Sequence, residues 1–174
     1  QGVAYVSYNA HPGSHLRDMV RDMMNFHVHD IADPAERIQQ ARAVLKALAD
    51  ASVKTTVHGA ILRDQLVRVE RLSNDVLFHD DLDLGAEPFL LHRVVADAEA
   101  HGLQYLCDAA LWRRTLDRLP ETMQVMLSNF AARAYMARDQ YHDFIDGLGF
   151  RRTLLCHGDI ALNRDVGSDR IKGF

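Results

Sequence analysis

The stretch VAYVSYNAHPGSHLRDMVRDMMNF, residues 3–26, decides how the rest of the chain is read. Val3 to Tyr8 is rich in β-branched and aromatic residues, follows Gly2 and stops at the breaker cluster Asn9-Ala10-His11-Pro12-Gly13, which predicts a strand. Ser14 has the hydroxyl to accept a backbone N–H as N-cap of a helix. The apolar positions of that helix, Leu16, Met19, Val20, Met23 and Phe26, recur at helical spacing. Its end is expected near Asp30. A lone strand leaves its backbone donors and acceptors unsatisfied, so Val3 to Tyr8 must find partners later in the chain.

Helices come next. Asp33-Pro34-Ala35-Glu36 combines a carboxylate N-cap, Pro at the first helical position and an acid at N3, and Ile38, Ala41, Leu45 and Leu48 form the apolar stripe behind it. A third helix is expected over Thr56 to Leu72 with Val57, Ile61, Leu62, Leu66 and Val69 inward, ended by Ser73-Asn74-Asp75. Pro88 opens a fourth with Phe89, Leu91, Val94, Val95 and Ala98, and Gly102 stands where a left-handed residue would stop it. Leu103 to Cys107 reads as a second strand, Asp108 as the cap of a helix holding Leu111, Trp112 and Leu116, and Pro120 as the start of a long helix. The apolar phase of that helix runs through Met123, Met126, Leu127, Phe130, Ala134, Tyr141, Phe144, Ile145 and Leu148 to Gly147 and Gly149. Arg151 to His157 is the third strand. The fold class is therefore α+β, mostly helical, with amphipathic helices and one small sheet of about three strands.

Composition sets the class. The 174 residues carry a formal net charge of −4, with 48% hydrophobic and 25% charged residues, the balance of a globular domain. Twenty Lys+Arg against 24 Asp+Glu provide no concentrated basic face, which argues against nucleic acid as a partner. Cys107 and Cys156 are too few for a disulfide framework and lie in no Cys-x-x-Cys, which fits a reducing, cytoplasmic setting. No apolar run approaches the roughly 20 residues of a membrane helix, so membrane insertion is not expected. The chain begins with Gln1 and enters a strand at once, which suggests a piece of a longer protein.

Four stretches in order, GVAYVSYNAHPGSHLRDMVRDMM (2–24), DPAERIQQARAVL (33–45), HGLQYLCDA (101–109) and YHDFIDGLGFRRTLLCH (141–157), resemble one family. It is that of bacterial S-adenosylmethionine-dependent methyltransferases carrying the predicted methyltransferase regulatory domain, a group that includes protein-lysine methyltransferases acting on outer-membrane proteins. The resemblance implies that Val3 to Tyr8, Leu103 to Cys107 and Arg151 to His157 are strands five, six and seven of a class I methyltransferase sheet, with the last in the middle. It implies residues 1–30 as the end of the methyltransferase core, 31–102 as a helical regulatory insertion and 103–174 as the remaining strands with a helical segment. Ser14 and Gly85-Ala86-Glu87-Pro88 depart from the family pattern, in which an aromatic follows the Pro-Gly pair and Asn precedes x-Pro.

The chemistry of methyl transfer itself is hard to find here. It needs a glycine-rich turn after a strand and an acid for the ribose, and the ten glycines are scattered, with Gly147-Leu148-Gly149 better read as a helix end. The fragment alone is thus expected to be inactive and to hold no cofactor, S-adenosylmethionine belonging to the full-length parent. No metal site is expected either. His11 and His15 are four apart, but Pro12-Gly13 forbids a continuous helix between them, and neither a Glu base nor a third ligand accompanies them. His27 and His29 fall on different helix faces. Asp80-Asp81-x-Asp83 with Gly85 faintly resembles a calcium loop but has His92 where the closing Glu should stand, so a solvated acidic turn is the better reading. Cys156 and His157 are neighbours on a strand and point to opposite faces, which favours a buried structural cysteine. Arg113-Arg114 and Arg151-Arg152 are pairs rather than a patch.

Tyr8 and Asn9 end the first strand. In an open α/β sheet that end looks into the ligand crevice, so with Arg17 they are the candidates for an acceptor channel; alternatively Tyr8 is core and Asn9 a turn residue. Catalytic residues are not identifiable. Two functions stand: a non-catalytic regulatory or substrate-selecting fragment of a protein methyltransferase, or a helical interaction or dimerisation module with no role in methyl transfer. The first implies the upstream methyltransferase core and a protein acceptor as partners, with a homodimer as a further arrangement.

Overall fold

The computed structural model describes residues 2–82, 87–110, 119–131 and 135–163. The element order is β1 (Val3–Asn9), α1 (Ser14–Val28), α2 (Pro34–Ala51), α3 (Val57–Arg71), the short α4 (Asn74–Val76) running into a π-helical turn (Leu77–Asp81), α5 (Leu91–Ala100), β2 (Leu103–Asp108), α6 (Glu121–Ala131), α7 (Tyr135–Asp146) and β3 (Phe150–His157). The chain divides into two units. One holds residues 1–8, 89–145 and 151–174, the other residues 9–88 and 146–150.

In the first unit the strands form an antiparallel sheet in the order β1-β3-β2, so the last strand is central, as expected. Leu103 faces His157, and Tyr105 faces Leu155. Between Tyr105 and Cys107 the register shifts, and Asp108 comes to lie opposite Thr153. One inserted residue reverses the alternation of faces, so Tyr105 and Asp108, three apart, look the same way. Gly102, at φ +74°, turns the chain from α5 into β2 in a conformation that costs other residues a Cβ clash. Leu91, Val95 and Ala98 of α5 pack on Tyr105 and Leu155, with Leu103 and Met136 alongside. Phe89 precedes this helix instead of riding on it, and Leu90 is its N-cap.

The second unit is built on α1, α2 and α3, which pack pairwise. Its core joins Val20, Met24 and Val28 to Ala41, Leu45 and Ala49, to Leu62 and Val69, and to Leu77 and Leu82. Each Val, Leu or Met among them contributes about 1.5–3 kcal/mol on full burial. Asp33 caps α2 as expected, its carboxylate accepting from the Glu36 N–H at 2.8 Å, and Thr56 caps α3 by accepting from Gly59. Several expectations are corrected. Ser14 is the first residue of α1, and Gly13 takes the cap position with no side-chain cap; the Ser14 hydroxyl donates to the Gly149 carbonyl at 3.1 Å. Phe26 is exposed on α1, Leu48 gives way to Ala49 on α2, and Val57 is exposed at the start of α3, where Gly59 is the buried residue of the first turn.

On α6 and α7 the apolar phase is only partly honoured. Leu127 and Leu148 are buried, but Met126, Phe144 and Ile145 are exposed, and α7 buries Arg138, Asp139, Gln140, His142 and Asp143 instead. The expected helix over Leu111, Trp112 and Leu116 lies outside the described residues, as do Arg113, Arg114, Asp83 and Gly85. Among the described residues no helix is long and apolar enough to cross a membrane.

Candidate functional site

The three residues singled out at the end of β1 have different partners. The Tyr8 hydroxyl lies 3.0 Å from Thr153 Oγ1 on β3, and its ring meets Phe89 edge-on at 6.5 Å. Burial pushes the phenol pKa up, so Tyr8 is a neutral hydroxyl at ordinary pH. Asn9, half-buried, accepts from Arg17 Nη1 at 3.1 Å. Arg17 also donates from Nε to Asp81 Oδ1 at 2.9 Å and from Nη2 to the Asp80 carbonyl at 2.6 Å. The structure therefore joins Asn9 to Arg17, while the hydroxyl of Tyr8 is held by the sheet.

Arg17 belongs to a larger clamp on the π-helical turn. Arg68 reaches Asp81 with both terminal nitrogens, at 2.9 and 3.3 Å, and Arg21 Nε and Asn25 Nδ2 donate to the Asp81 carbonyl. Arg37 adds a bond to the Leu82 carbonyl. Asp81 is fully buried, not part of a solvated acidic turn. A wide π turn leaves backbone carbonyls unmatched within the helix, and arginines supply the donors. The sequence signal was the row Arg17, Arg21 and Asn25, spaced by four on one face of α1.

A second buried polar group sits on the sheet of the first unit. Arg151, 2% exposed, donates to Asp143 Oδ2 at 2.6 Å and to the Tyr105 hydroxyl at 3.0 Å, and pairs with Asp108 Oδ2 at 3.3 Å. Tyr105 donates to Asp139 Oδ2 at 2.6 Å, and Arg138 pairs with Asp139 Oδ1 at 3.1 Å. Three carboxylates thus face two guanidiniums. Burial, opposed by Arg151 and reinforced by Asp139 and Asp108, pushes the Asp143 carboxyl up to about 6. Burial and Asp139 likewise push the Tyr105 phenol well above its usual range. Arg151 is thus the buried counter-ion of the cluster. Cys156 and Cys107 are buried and not joined in a disulfide, and His157, exposed, turns away from Cys156.

The turn after β1 brings His11 and His15 together. Their rings stack with centroids 3.8 Å apart, and Asp18 joins them. Asp18 was hidden in the sequence because helical phase places it beside His15, whereas His11 reaches the same spot by an irregular turn. That turn is closed against the loop before β3: Ala10 N–H donates to the Gly149 carbonyl and Gly13 N–H to the Leu148 carbonyl, each at 3.0 Å. A Cβ on Gly13 would stand 2.1 Å from the Gly147 oxygen. Gly13 serves this close approach, so the space a cofactor would need beside a strand-to-helix glycine is filled by backbone, and the residues here do not fit S-adenosylmethionine.

Comparison with known proteins shows what the chain is similar to. Residues 73–157 match the family model described as the predicted methyltransferase regulatory domain. The chain is 33% identical over 174 residues to the uncharacterized protein RP789 of Rickettsia prowazekii (strain Madrid E), an alignment covering 99% of this chain and 31% of that protein. The uncharacterized protein RP028 of the same organism is 28% identical over 82 residues, 47% of this chain and 33% of its own. Among solved structures, PKMT2 from Rickettsia typhi matches with a TM-score of 0.83 and 32% identity over 98% of this chain and 32% of that one. PKMT2 in complex with AdoHcy matches with a TM-score of 0.82 and 32% identity over 97% and 31%. The chain spans about a third of the length of these relatives.

Proposed function

With the predicted methyltransferase regulatory domain identified across residues 73–157, we propose that this chain is the non-catalytic, regulatory or substrate-selecting part of a larger S-adenosylmethionine-dependent methyltransferase that acts on protein. The observation that carries the reading is the likeness over nearly the whole chain to one third of PKMT2, a protein whose structure also exists with AdoHcy, the product S-adenosylmethionine leaves after methyl transfer. The catalytic core and the cofactor belong to the upstream part of the parent, which acts in the cytoplasm. Two features support a partner at the sheet: β1 is an edge strand, and its Val3, Tyr5 and Val6 side chains are exposed.

In this reading the helical insertion selects the acceptor, and Tyr8, Asn9 and Arg17 line its channel. A lysine must lose a proton before its nitrogen attacks a methyl group, and neutral walls favour that loss. Tyr8 is a neutral phenol, Asn9 is uncharged, and Arg17 is paired with Asp81, which it shares with Arg68. Arg17 holds Asn9 from one side, so its role is to position the amide.

Calorimetry with S-adenosylmethionine tests the division of labour. The full-length parent is expected to bind it and the 174-residue chain is not. Micromolar binding by the chain alone, or none by the parent, would overturn the proposal.

A further inference from the structure

The turn between β1 and α1 gathers three metal-ligating side chains in the second unit: His11 in the turn, His15 in the first turn of α1, and Asp18 three residues further along the same face. One ligand atom from each lies within 4.8 Å of the others. The backbone that carries them is fixed by the bonds from Ala10, Gly13 and Ser14 to residues 148 and 149. His15 is exposed and the other two are half-buried, so an ion can reach the group from solvent.

The geometry points to a site for one divalent transition ion of the zinc, cobalt or nickel type, held by one imidazole nitrogen from each of His11 and His15 and one carboxylate oxygen of Asp18. Two nitrogens and one oxygen suit these borderline ions, whereas calcium and magnesium call for oxygen alone. Metal–ligand lengths of about 2.0–2.2 Å set tetrahedral neighbours about 3.3 Å apart, so the ligand atoms close by at most about 1.5 Å. Rotation of the two stacked rings supplies this, since parallel rings 3.8 Å apart do not yet converge on one point. Arg21 Nη1 donates to Asp18 Oδ1 at 3.2 Å and orients the carboxylate, as outer groups commonly do for metal ligands. Three protein ligands leave a coordination position for water. The ion would fasten the turn that follows Asn9 to the helix that carries Arg17, but its binding does not depend on the methyltransferase reading.

Titration of the metal-free 174-residue chain with Co²⁺, followed by visible d–d absorption and by competition with Zn²⁺, tests the site. One ion per chain is expected. Loss of a group that merely orients a ligand weakens metal binding by about 10–100-fold, so His15→Ala and Asp18→Ala should weaken it by about 100-fold or more, with His27→Ala unchanged. Circular dichroism checks that each variant folds, and the exposed His15 decides if His11→Ala does not. Absence of a saturable one-ion phase, or full-strength binding by folded His15→Ala and Asp18→Ala variants, would overturn the assignment.

Discussion

Replacing Arg151 by Met removes the buried cation that faces Asp143, Asp108 and the Tyr105 hydroxyl while keeping a side chain of similar length. The cost can be worked from the cluster. Asp143 stands at about 6 instead of 3.8 with the guanidinium beside it, so burying it ionised already costs about 3 kcal/mol above pH 6. Without Arg151 its pKa climbs further, and the penalty is capped near 5 kcal/mol at about pH 7.5, the cost of carrying a proton into the fold. Asp143 therefore accounts for about 2 kcal/mol of the loss. Asp108, which loses its buried counter-ion, and the Tyr105 hydroxyl, which keeps its bond to Asp139 but loses the Arg151 donor, add about 1–3 kcal/mol, for a total of about 3–5 kcal/mol.

The sign with pH follows from the raised carboxyl. Its contribution is fully favourable below the unfolded value of 3.8 and is lost as pH rises through about 6, where wild type levels off. The variant keeps losing stability above that point, so the gap between the two widens toward alkaline pH. Urea unfolding followed by circular dichroism at about pH 5 and about pH 7.5 measures both quantities. A loss below about 1 kcal/mol at the higher pH, or an equal loss at both, would refute the reasoning.

Other perturbations test separate parts of the structure. Gly13→Ala places a Cβ against the backbone of residues 147–149 and should destabilise by about 1–3 kcal/mol or more in the same unfolding assay. Asp81→Ala unpairs Arg17 and Arg68, which keep some access to water, so a loss of about 2–3 kcal/mol is expected, below that of a wholly buried pair. Asp33→Ala removes the cap of α2 and should cost about 1 kcal/mol in unfolding experiments, with the fold retained in circular dichroism.

The start of α2 was legible because Asp33, Pro34 and Glu36 act locally, on backbone groups within one turn. The three strands and the central place of β3 were legible as well, the order through the family resemblance. The buried face of α7 was not. Apolar periodicity selects Phe144 and Ile145, yet the sheet face it covers carries Arg151 and Tyr105, and these draw in Asp139 and Asp143. Which side chain is buried is then decided by its partner, and a partner eight or more residues away leaves no trace in hydropathy. The shift between Tyr105 and Cys107 is similar, for strict alternation would have sent Asp108 to the other face. At the turn after β1, the spacing of His11 and His15 conveys nothing until the chain path is known. Asp81 reads as a solvated acid until Arg17 and Arg68 are seen to converge on it.

The most direct test of the functional account is mass-spectrometric mapping of methylated residues after incubating cell proteins with S-adenosylmethionine and the full-length parent, wild type or carrying Tyr8→Ala or Asn9→Ala. The account predicts a defined set of methylated lysines with the wild type. It predicts reduced turnover or a changed set with the variants, cofactor binding being intact in each. No methylation by the wild-type parent, or an identical set and rate with both variants, would contradict it.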